Sequence, residues 1–336
     1  MPIKPEITPQ QQFLLAMAFL ENQGKTSTHQ ALEEAGEFYF GMYRLDWSAA
    51  LPELVNQRLV QSLPGILRLT PAGQEAAQDL RSDYPCHLFF YNEYYPRAES
   101  SAVHARFCEE VYGINLCQHG MMDLSQLKEM MDILEINPGE RLLELGCGSG
   151  RVAEYISDQT GANVVGIDIS HTGVEMALAR TKAKRSRLDF LQADMRKINL
   201  ESGQYDALYC ADSLYGVDPD FLASLRRLVK SGGKMAVFWS CWASPGAPLT
   251  GLQAENTPLA LSCQELRLVY HHWDFSAQEL QHWRKKLDVI NALESDFILE
   301  GNQFLFRNRH LEASLHQQYV EAGRVSRYLY LVELAA

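Results

Sequence analysis

The sequence lacks any apolar run long enough to cross a membrane. The longest near its start, Phe13 to Leu20, is eight residues, against the roughly 20 that a spanning helix needs. That stretch follows Pro- and Gln-rich sequence and not a charged leader, so it reads neither as a span nor as a signal peptide. Internal repeats, low-complexity tracts and blocks of like charge are missing too. Positive charge is scarce: 30 Lys and Arg against 42 Asp and Glu give a net charge of −12, which excludes nucleic acid and anionic membrane as global partners. The seven cysteines are an odd number with no C-x-x-C pair, which fits free thiols in a reducing cytoplasm and not a disulfide scaffold. Cys117 and His119 have no second pair at ligand spacing, so no metal is assigned.

What is present is an ordinary folded composition. Hydrophobic residues make up 46% and charged residues 21% of 336, enough for about two domains. Residues 10 to 23 carry Phe13, Met17 and Leu20 at helical spacing; Thr28 to Ala35 and Ala49 to Val60 read as two further short helices. Leu59 to Leu63 and Ile66 to Leu69 flank Pro64-Gly65 as a hairpin, and Thr70-Pro71 supplies the cap and first position of a helix to about Leu80. This order resembles a winged-helix domain, placed at residues 1–82. Tyr84, Phe89, Phe90, Tyr91, Tyr94 and Tyr95 crowd into the next stretch, so 83–123 reads as an aromatic connector and lid. Ser125 is expected to cap a helix bearing Leu127, Met130, Met131 and Leu134. The third region, 124–336, alternates strands and helices: Arg141 to Leu145, Asn163 to Ile167, Leu188 to Gln192, Ala207 to Cys210 and Lys234 to Trp239 are strand candidates of a parallel α/β sheet. Gln303 to Arg307 and Tyr328 to Leu334 are expected to add final strands around a His310 to Ala322 helix.

The first of these strands ends in Glu144-Leu145-Gly146-Cys147-Gly148-Ser149-Gly150, and a helix opens at Val152. Glycines in such a turn leave no Cβ between the backbone and a ligand lying across the strand ends. The spacing is G-x-G-x-G; Arg151 breaks the G-x-G-x-x-G pattern of a dinucleotide site, which disfavours a nicotinamide oxidoreductase. Three acids then fall at successive strand ends. Asp168, followed by Ile169, closes the second strand where a carboxylate can accept from both hydroxyls of a ribose, or equally cap the next helix. Asp194 with Met195 follows the third strand and suits an adenine amine and ring. Asp212 ends the fourth.

With these residues the chain resembles the class I S-adenosylmethionine-dependent methyltransferases over roughly residues 120 to 240. The resemblance implies an α/β, Rossmann-like seven-stranded sheet in the order 3-2-1-4-5-7-6, preceded by the mainly helical winged-helix-like domain. It implies S-adenosylmethionine as cofactor, with Glu144, Gly146, Cys147, Gly148 and Gly150 at the methionine moiety, Asp168 and Ile169 at the ribose, Asp194 and Met195 at the adenine, and Asp212 beneath the reacting sulfonium. The two-domain layout looks like the plant-type small-molecule O-methyltransferases, whose leading domain dimerises, so a homodimer is expected. Those enzymes typically carry a His-Asp-Trp base motif where this chain has Asp212-Ser213-Leu214-Tyr215-Gly216, so their base is not carried over.

Candidates for a base are His119, His271 and His272, which titrate nearest neutral pH. Aromatic residues cluster at 84–95 and after the fifth strand, where Trp239, Trp242, Trp273 and Trp283 lie, which points to a small aromatic or cationic acceptor. The reading is methyl transfer to a small molecule by in-line displacement. The competing one is a cofactor-sensing winged-helix regulator bound to DNA; residues 1–85 carry six basic residues against ten acidic ones, which disfavours a phosphate-binding face.

Overall fold

Threonines start the first helices. Thr8 caps α1 (Pro9–Asn22), accepting from the Gln11 amide at 3.2 Å while the Gln11 side chain accepts from the Thr8 amide at 2.9 Å; the reciprocal pair satisfies two donors that a helix start leaves orphaned. Thr28 caps α2 (His29–Phe40) through the Ala31 amide. After α3 (Ala50–Asn56), strands β1 (Val60–Leu63) and β2 (Ile66–Leu69) pair antiparallel across Pro64-Gly65, and Thr70 with Pro71 opens α4 (Pro71–Asp83). The helical spacing in α1 has its physical outcome in burial: Phe13, Met17 and Leu20 lie in a core with Leu32, Phe40, Trp47 and Leu54. Buried Gln12 accepts from the Trp47 indole at 3.0 Å, so neither polar group is stranded.

The computed structural model describes residues 7–334, in two units. The first runs to Tyr94 and includes Ser170–Thr172; the second holds Tyr95–Ile169 and the chain from Gly173. Residues 83–123 are mostly helical, as α5 (Cys86–Ser100) and α6 (Ala102–Tyr112), because the aromatic residues recur at helical spacing and Ser101 caps the second helix. Pro96 lies inside α5. The cap of α7 (Leu124–Leu134) is Asp123, whose carboxylate accepts from the Gln126 amide at 2.9 Å; Ser125 sits inside the first turn and donates to that carboxylate.

The second unit then follows the alternation read from the sequence: β3 (Arg141–Leu145), α8 (Arg151–Thr160), β4 (Asn163–Asp168), α9 (His171–Arg180), β5 (Leu188–Gln192), β6 (Tyr205–Cys210), α10 (Pro219–Arg226) and β7 (Val229–Trp242). After α11 (Pro258–Glu265) come β8 (Tyr270–Asp274), α12 (Ser276–Ala292), α13 (Glu294–Leu299), α14 (Gln303–Glu321) and β9 (Val325–Glu333). The sheet order is β5-β4-β3-β6-β7-β9-β8; counted from β3 as its first strand, this is 3-2-1-4-5-7-6. Strands β3 to β7 are parallel, and β9 runs antiparallel to both neighbours. Both faces are covered, one core gathering Leu143, Leu145, Leu208 and Val237, the other Leu142, Val164, Phe190 and Phe238, which is why these strands are near-continuously apolar.

Two terminal expectations are corrected. Gln303 to Arg307 is the first turn of α14, not a strand: Leu305 and Arg309, four apart, are both buried, and packing of that helical face overrides the strand-like alternation of Phe304 and Phe306. The edge strand β8 was not foreseen, because its five residues are largely polar and exposed.

Candidate active site

In an open parallel sheet, ligands bind outside the carboxyl ends of the strands where the winding reverses. Here that place lies between β3, whose chain goes on to β4, and β6. The glycine turn sits there. Gly146 and Cys147 both donate their amides to the Ile167 carbonyl, at 2.8 and 2.9 Å, and Gly148 donates to Asp168 Oδ2 at 2.7 Å. Gly146 and Gly148 have φ of +74° and +53°, the left-handed region that side chains disfavour. A Cβ on Gly146 would collide with Ser213, and one on Gly148 with the Tyr95 phenol. The turn is therefore a cradle with side chains already standing at its rim.

Glu144 is buried below the turn, and its Oε2 has no hydrogen-bond partner among the described residues. Burial pushes its pKa up to about 8, with the nearby Asp168 charge adding to the rise and the Tyr209 hydroxyl opposing it. Cys147 is also buried; its side chain packs over Gly166, and burial holds its thiol protonated. Ile169 follows Asp168, with its carbonyl accepting from Gln192 Nε2 at 3.3 Å. Met195 reaches the turn, its methyl 3.5 Å from where a Gly146 Cβ would stand. Asp194 caps a short 3-10 turn and binds Arg196 through both side chain and backbone; burial opposes its ionisation, but these bonds hold its carboxyl below the ordinary value. The carboxylate side chains at the ends of β3 and β4, with Met195, fit an adenosyl group carrying a positively charged sulfur. The orphaned Glu144 oxygen, buried below the turn, marks the same place.

Helix α5 carries residues at this site that the sequence reading left in a connector. Tyr95 stands over Gly148 and Gly173. One turn on, Glu99 accepts from Ser149 Oγ at 2.7 Å and Arg151 Nε at 2.7 Å, with Arg180 3.5 Å away. Arg180 in turn donates to the Ser149 carbonyl at 2.7 Å. The i, i+4 spacing of Tyr95 and Glu99 was the available signal: it puts both on one helix face.

Asp212 ends β6 with φ +64°. Its carboxylate accepts from the Met121 and Met122 amides at 2.7 and 2.8 Å and pairs with fully buried Arg327 of β9 at 2.5 and 3.1 Å. Arg327 also donates to Ser240 and Gln126 and lies 3.5 Å from Glu279. Asp212 thus fastens the loop before α7 to the sheet, a role that residue type alone did not reveal.

The three histidines are not brought together. His119 Nε2 donates to Asn308 Oδ1 at 3.0 Å, and burial, then the Arg309 guanidinium, push its pKa down to about 3. Its neighbour Gly120 abuts Asp212. His271 and His272 are exposed on edge strand β8, four strand positions from β3 and so roughly 19 Å away in the sheet.

Residues 143–237 match the family model of a methyltransferase domain. The chain is 30% identical over 142 residues to a phosphoethanolamine N-methyltransferase of Triticum aestivum, covering 42% of this chain and 28% of that one. It is 29% identical over 179 residues to a demethylmenaquinone methyltransferase of Beutenbergia cavernae, covering 51% and 71%. The chain therefore spans under a third of the length of the wheat relative. Among solved structures, a phosphoethanolamine N-methyltransferase 2 of Haemonchus contortus, in complex with phosphomonomethylethanolamine and S-adenosylhomocysteine, superposes with TM-score 0.58 at 15% identity, covering 73% of this chain and 60% of that one. Family match, sheet order and glycine turn agree: residues 143–237 match a methyltransferase domain, and the α/β unit that holds them has the sheet order that the resemblance to class I S-adenosylmethionine-dependent methyltransferases implied.

Proposed function

We propose that the protein transfers a methyl group from S-adenosylmethionine to a small-molecule acceptor by in-line displacement. The observation that carries this reading is the glycine turn at the end of β3, its Gly148 amide bound to Asp168, with Glu144 and Asp212 at the neighbouring strand ends. Burial keeps Glu144 protonated and Asp212 is matched by Arg327, so the negative charge there that favours a cationic sulfur ligand is that of Asp168. Glu144 and the turn from Gly146 to Gly150 would hold the methionine portion, Asp168 the ribose, and Asp194 with Met195 the adenine. When bound, the cofactor supplies a methyl on a good leaving group. The work left to the chain is alignment at about 3 Å and exclusion of water. Tyr95, Ser213 and the loop pinned by Asp212 ring the turn and are placed for that task.

A base is needed only for a protonated acceptor. His119, whose pKa burial lowers to about 3, would be a weak base for it, and His271 and His272 lie on the far edge strand. The winged-helix-like unit is read as an assembly module of a homodimer: Phe38, Met42, Leu45 and Val55 are all exposed on it, Met42 by 60%, an apolar set suited to burial against a second copy. Its acidic balance disfavours DNA. Seven free thiols suit a reducing, cytoplasmic setting. Calorimetry with S-adenosylhomocysteine and with nicotinamide dinucleotides tests the reading. Micromolar binding of the first and none of the second is expected; the reverse overturns it.

A further inference from the structure

At the carboxyl end of β7 lies a groove of about 510 Å³, a size typical of small-molecule sites. It is lined by Trp239, Ser240 and Trp242 of the strand and by Pro248, Gly251 and Leu252 of the chain that follows. That chain is irregular apart from two short 3-10 turns, yet side chains hold it in place. Arg324, just before β9, donates to the carbonyls of Ala243 and Ala247, each at 2.8 Å, and to that of Ser244. The Tyr328 hydroxyl donates to the Leu252 carbonyl at 2.8 Å, and Asn256 Nδ2 to the Thr250 carbonyl at 2.9 Å. Trp242 is fixed as well, stacked on His316 at 4.1 Å and in T-shaped contact with Trp283 and Tyr319. Walls formed in advance reduce the ordering cost of binding.

The groove adjoins the place of the methyl donor. Ser240, in its lining, accepts from Arg327 Nη1 at 3.1 Å, and the same nitrogen donates to Asp212 at 2.5 Å. The next residue, Ser213, stands over Gly146 of the turn. In the sheet, β7 is two strand positions from β3, roughly 10 Å. A small molecule in the groove can therefore reach towards a donor seated at the turn.

The chemistry of the lining is selective, because no charged side chain belongs to it. A carboxylate, phosphate or ammonium entering the groove would give up its water and meet no counter-charge. The charges behind the walls are directed elsewhere: Arg324 to backbone carbonyls, and Arg327 and Asp212 to each other. Nor do the indoles form an open cage for a cation. Trp239 is only 6% exposed, and His316 covers one face of Trp242. Apolar and ring surface with neutral polar groups, Ser240, Ser244 and Asn256, is what the groove offers.

We propose that this groove is the acceptor pocket and that it takes an uncharged, largely apolar ring compound. This rests on the methyltransferase reading and narrows its acceptor class: an aromatic body fits, and a cationic or anionic small molecule does not.

Three probes that share one ring system and differ in charge test it: 2-naphthol, 2-naphthoate and 2-naphthylmethylammonium. Each is titrated by calorimetry at pH 7 into full-length protein saturated with S-adenosylhomocysteine. The neutral naphthol is expected to bind roughly tenfold or more tighter than either charged probe. Gly251 lies in the turn Leu249–Leu252, and a Cβ there meets nothing within 4 Å. Gly251→Phe should therefore fold, occupy the groove and weaken naphthol binding roughly tenfold or more, with unchanged affinity for S-adenosylhomocysteine. Ala247→Phe, elsewhere in the lining, repeats the test. No naphthol binding by the wild type, a charged probe bound as tightly as naphthol, or wild-type naphthol affinity in the folded variants overturns the proposal. If neither variant folds, the comparison of the three probes decides alone. Failure of the wild type to bind S-adenosylhomocysteine would instead strike the underlying reading.

Discussion

Replacing Asp212 by Asn tests whether this residue pins a loop or contacts a ligand. Asn keeps the shape and tolerates the left-handed φ of +64°. It retains one carbonyl for the Met121 and Met122 amides, which the aspartate meets at 2.7 and 2.8 Å. What it removes is the charge opposite Arg327, a fully buried guanidinium. Breaking a buried ion pair by neutralising one partner costs about 3–5 kcal/mol. Gln126 at 3.1 Å and Glu279 at 3.5 Å still face Arg327, so the loss is expected at the lower end, about 3 kcal/mol. Urea unfolding followed by tryptophan fluorescence reads this as a fall in midpoint at unchanged slope. Arg327→Met should cost a similar amount. The double variant should cost less than the two summed, by about 1–3 kcal/mol, because the second change removes a charge that the first had stranded. Stability within 0.5 kcal/mol of wild type, or strict additivity, would refute the pinning role. Unchanged stability together with lost affinity for S-adenosylhomocysteine would reassign Asp212 to the ligand.

Three further outcomes follow from the turn. Asp168→Ala should weaken S-adenosylhomocysteine binding roughly 10- to 150-fold by calorimetry, the equivalent of a charged hydrogen bond worth about 1.5–3 kcal/mol; equal affinity in a folded variant contradicts the ribose assignment. Gly148→Val should abolish that binding with circular dichroism unchanged, since a β-branched side chain at φ +53° would also strike Tyr95; tight binding would show that the turn does not line the pocket. Glu144, whose pKa rises in the folded state from 4.5 to about 8, keeps a proton that the unfolded chain releases. Its contribution therefore favours folding at low pH and is lost as pH rises from about 4.5 to about 8. Thermal melts from pH 5 to 9 should show Glu144→Gln gaining on wild type as pH rises, and parallel curves would contradict the buried, protonated carboxyl.

Much of the sheet was legible in the sequence because its strands are buried on both faces and short turns bound them. Leu142 to Leu145, Val164 to Ile167 and Met235 to Phe238 are apolar runs between helical patterns, and that local signal predicts parallel strands without tertiary information. The cap Thr70 and the glycine turn were legible for the same reason: each is a local rule about one or a few residues, their backbone angles and their nearest amides.

What only the tertiary structure decided lies where partners are distant in sequence. Phe304 and Phe306 have strand spacing, and the packing of Leu305 and Arg309, four apart, made the segment α14. The edge strand β8 exists because β9 offers it a ladder, not because its own residues favour it. Arg327 reaches Asp212 across 115 positions and Glu99 reaches Arg151 across 52. Lys286, Arg309 and Glu312 look in the sequence like ordinary charges on amphipathic helices. Folding takes them out of water, and burial turns an unremarkable Lys, Arg and Glu into a buried ion-pair cluster. Composition fixes how many charges a chain has, but the dielectric each one experiences, and hence its chemistry, is set by the fold.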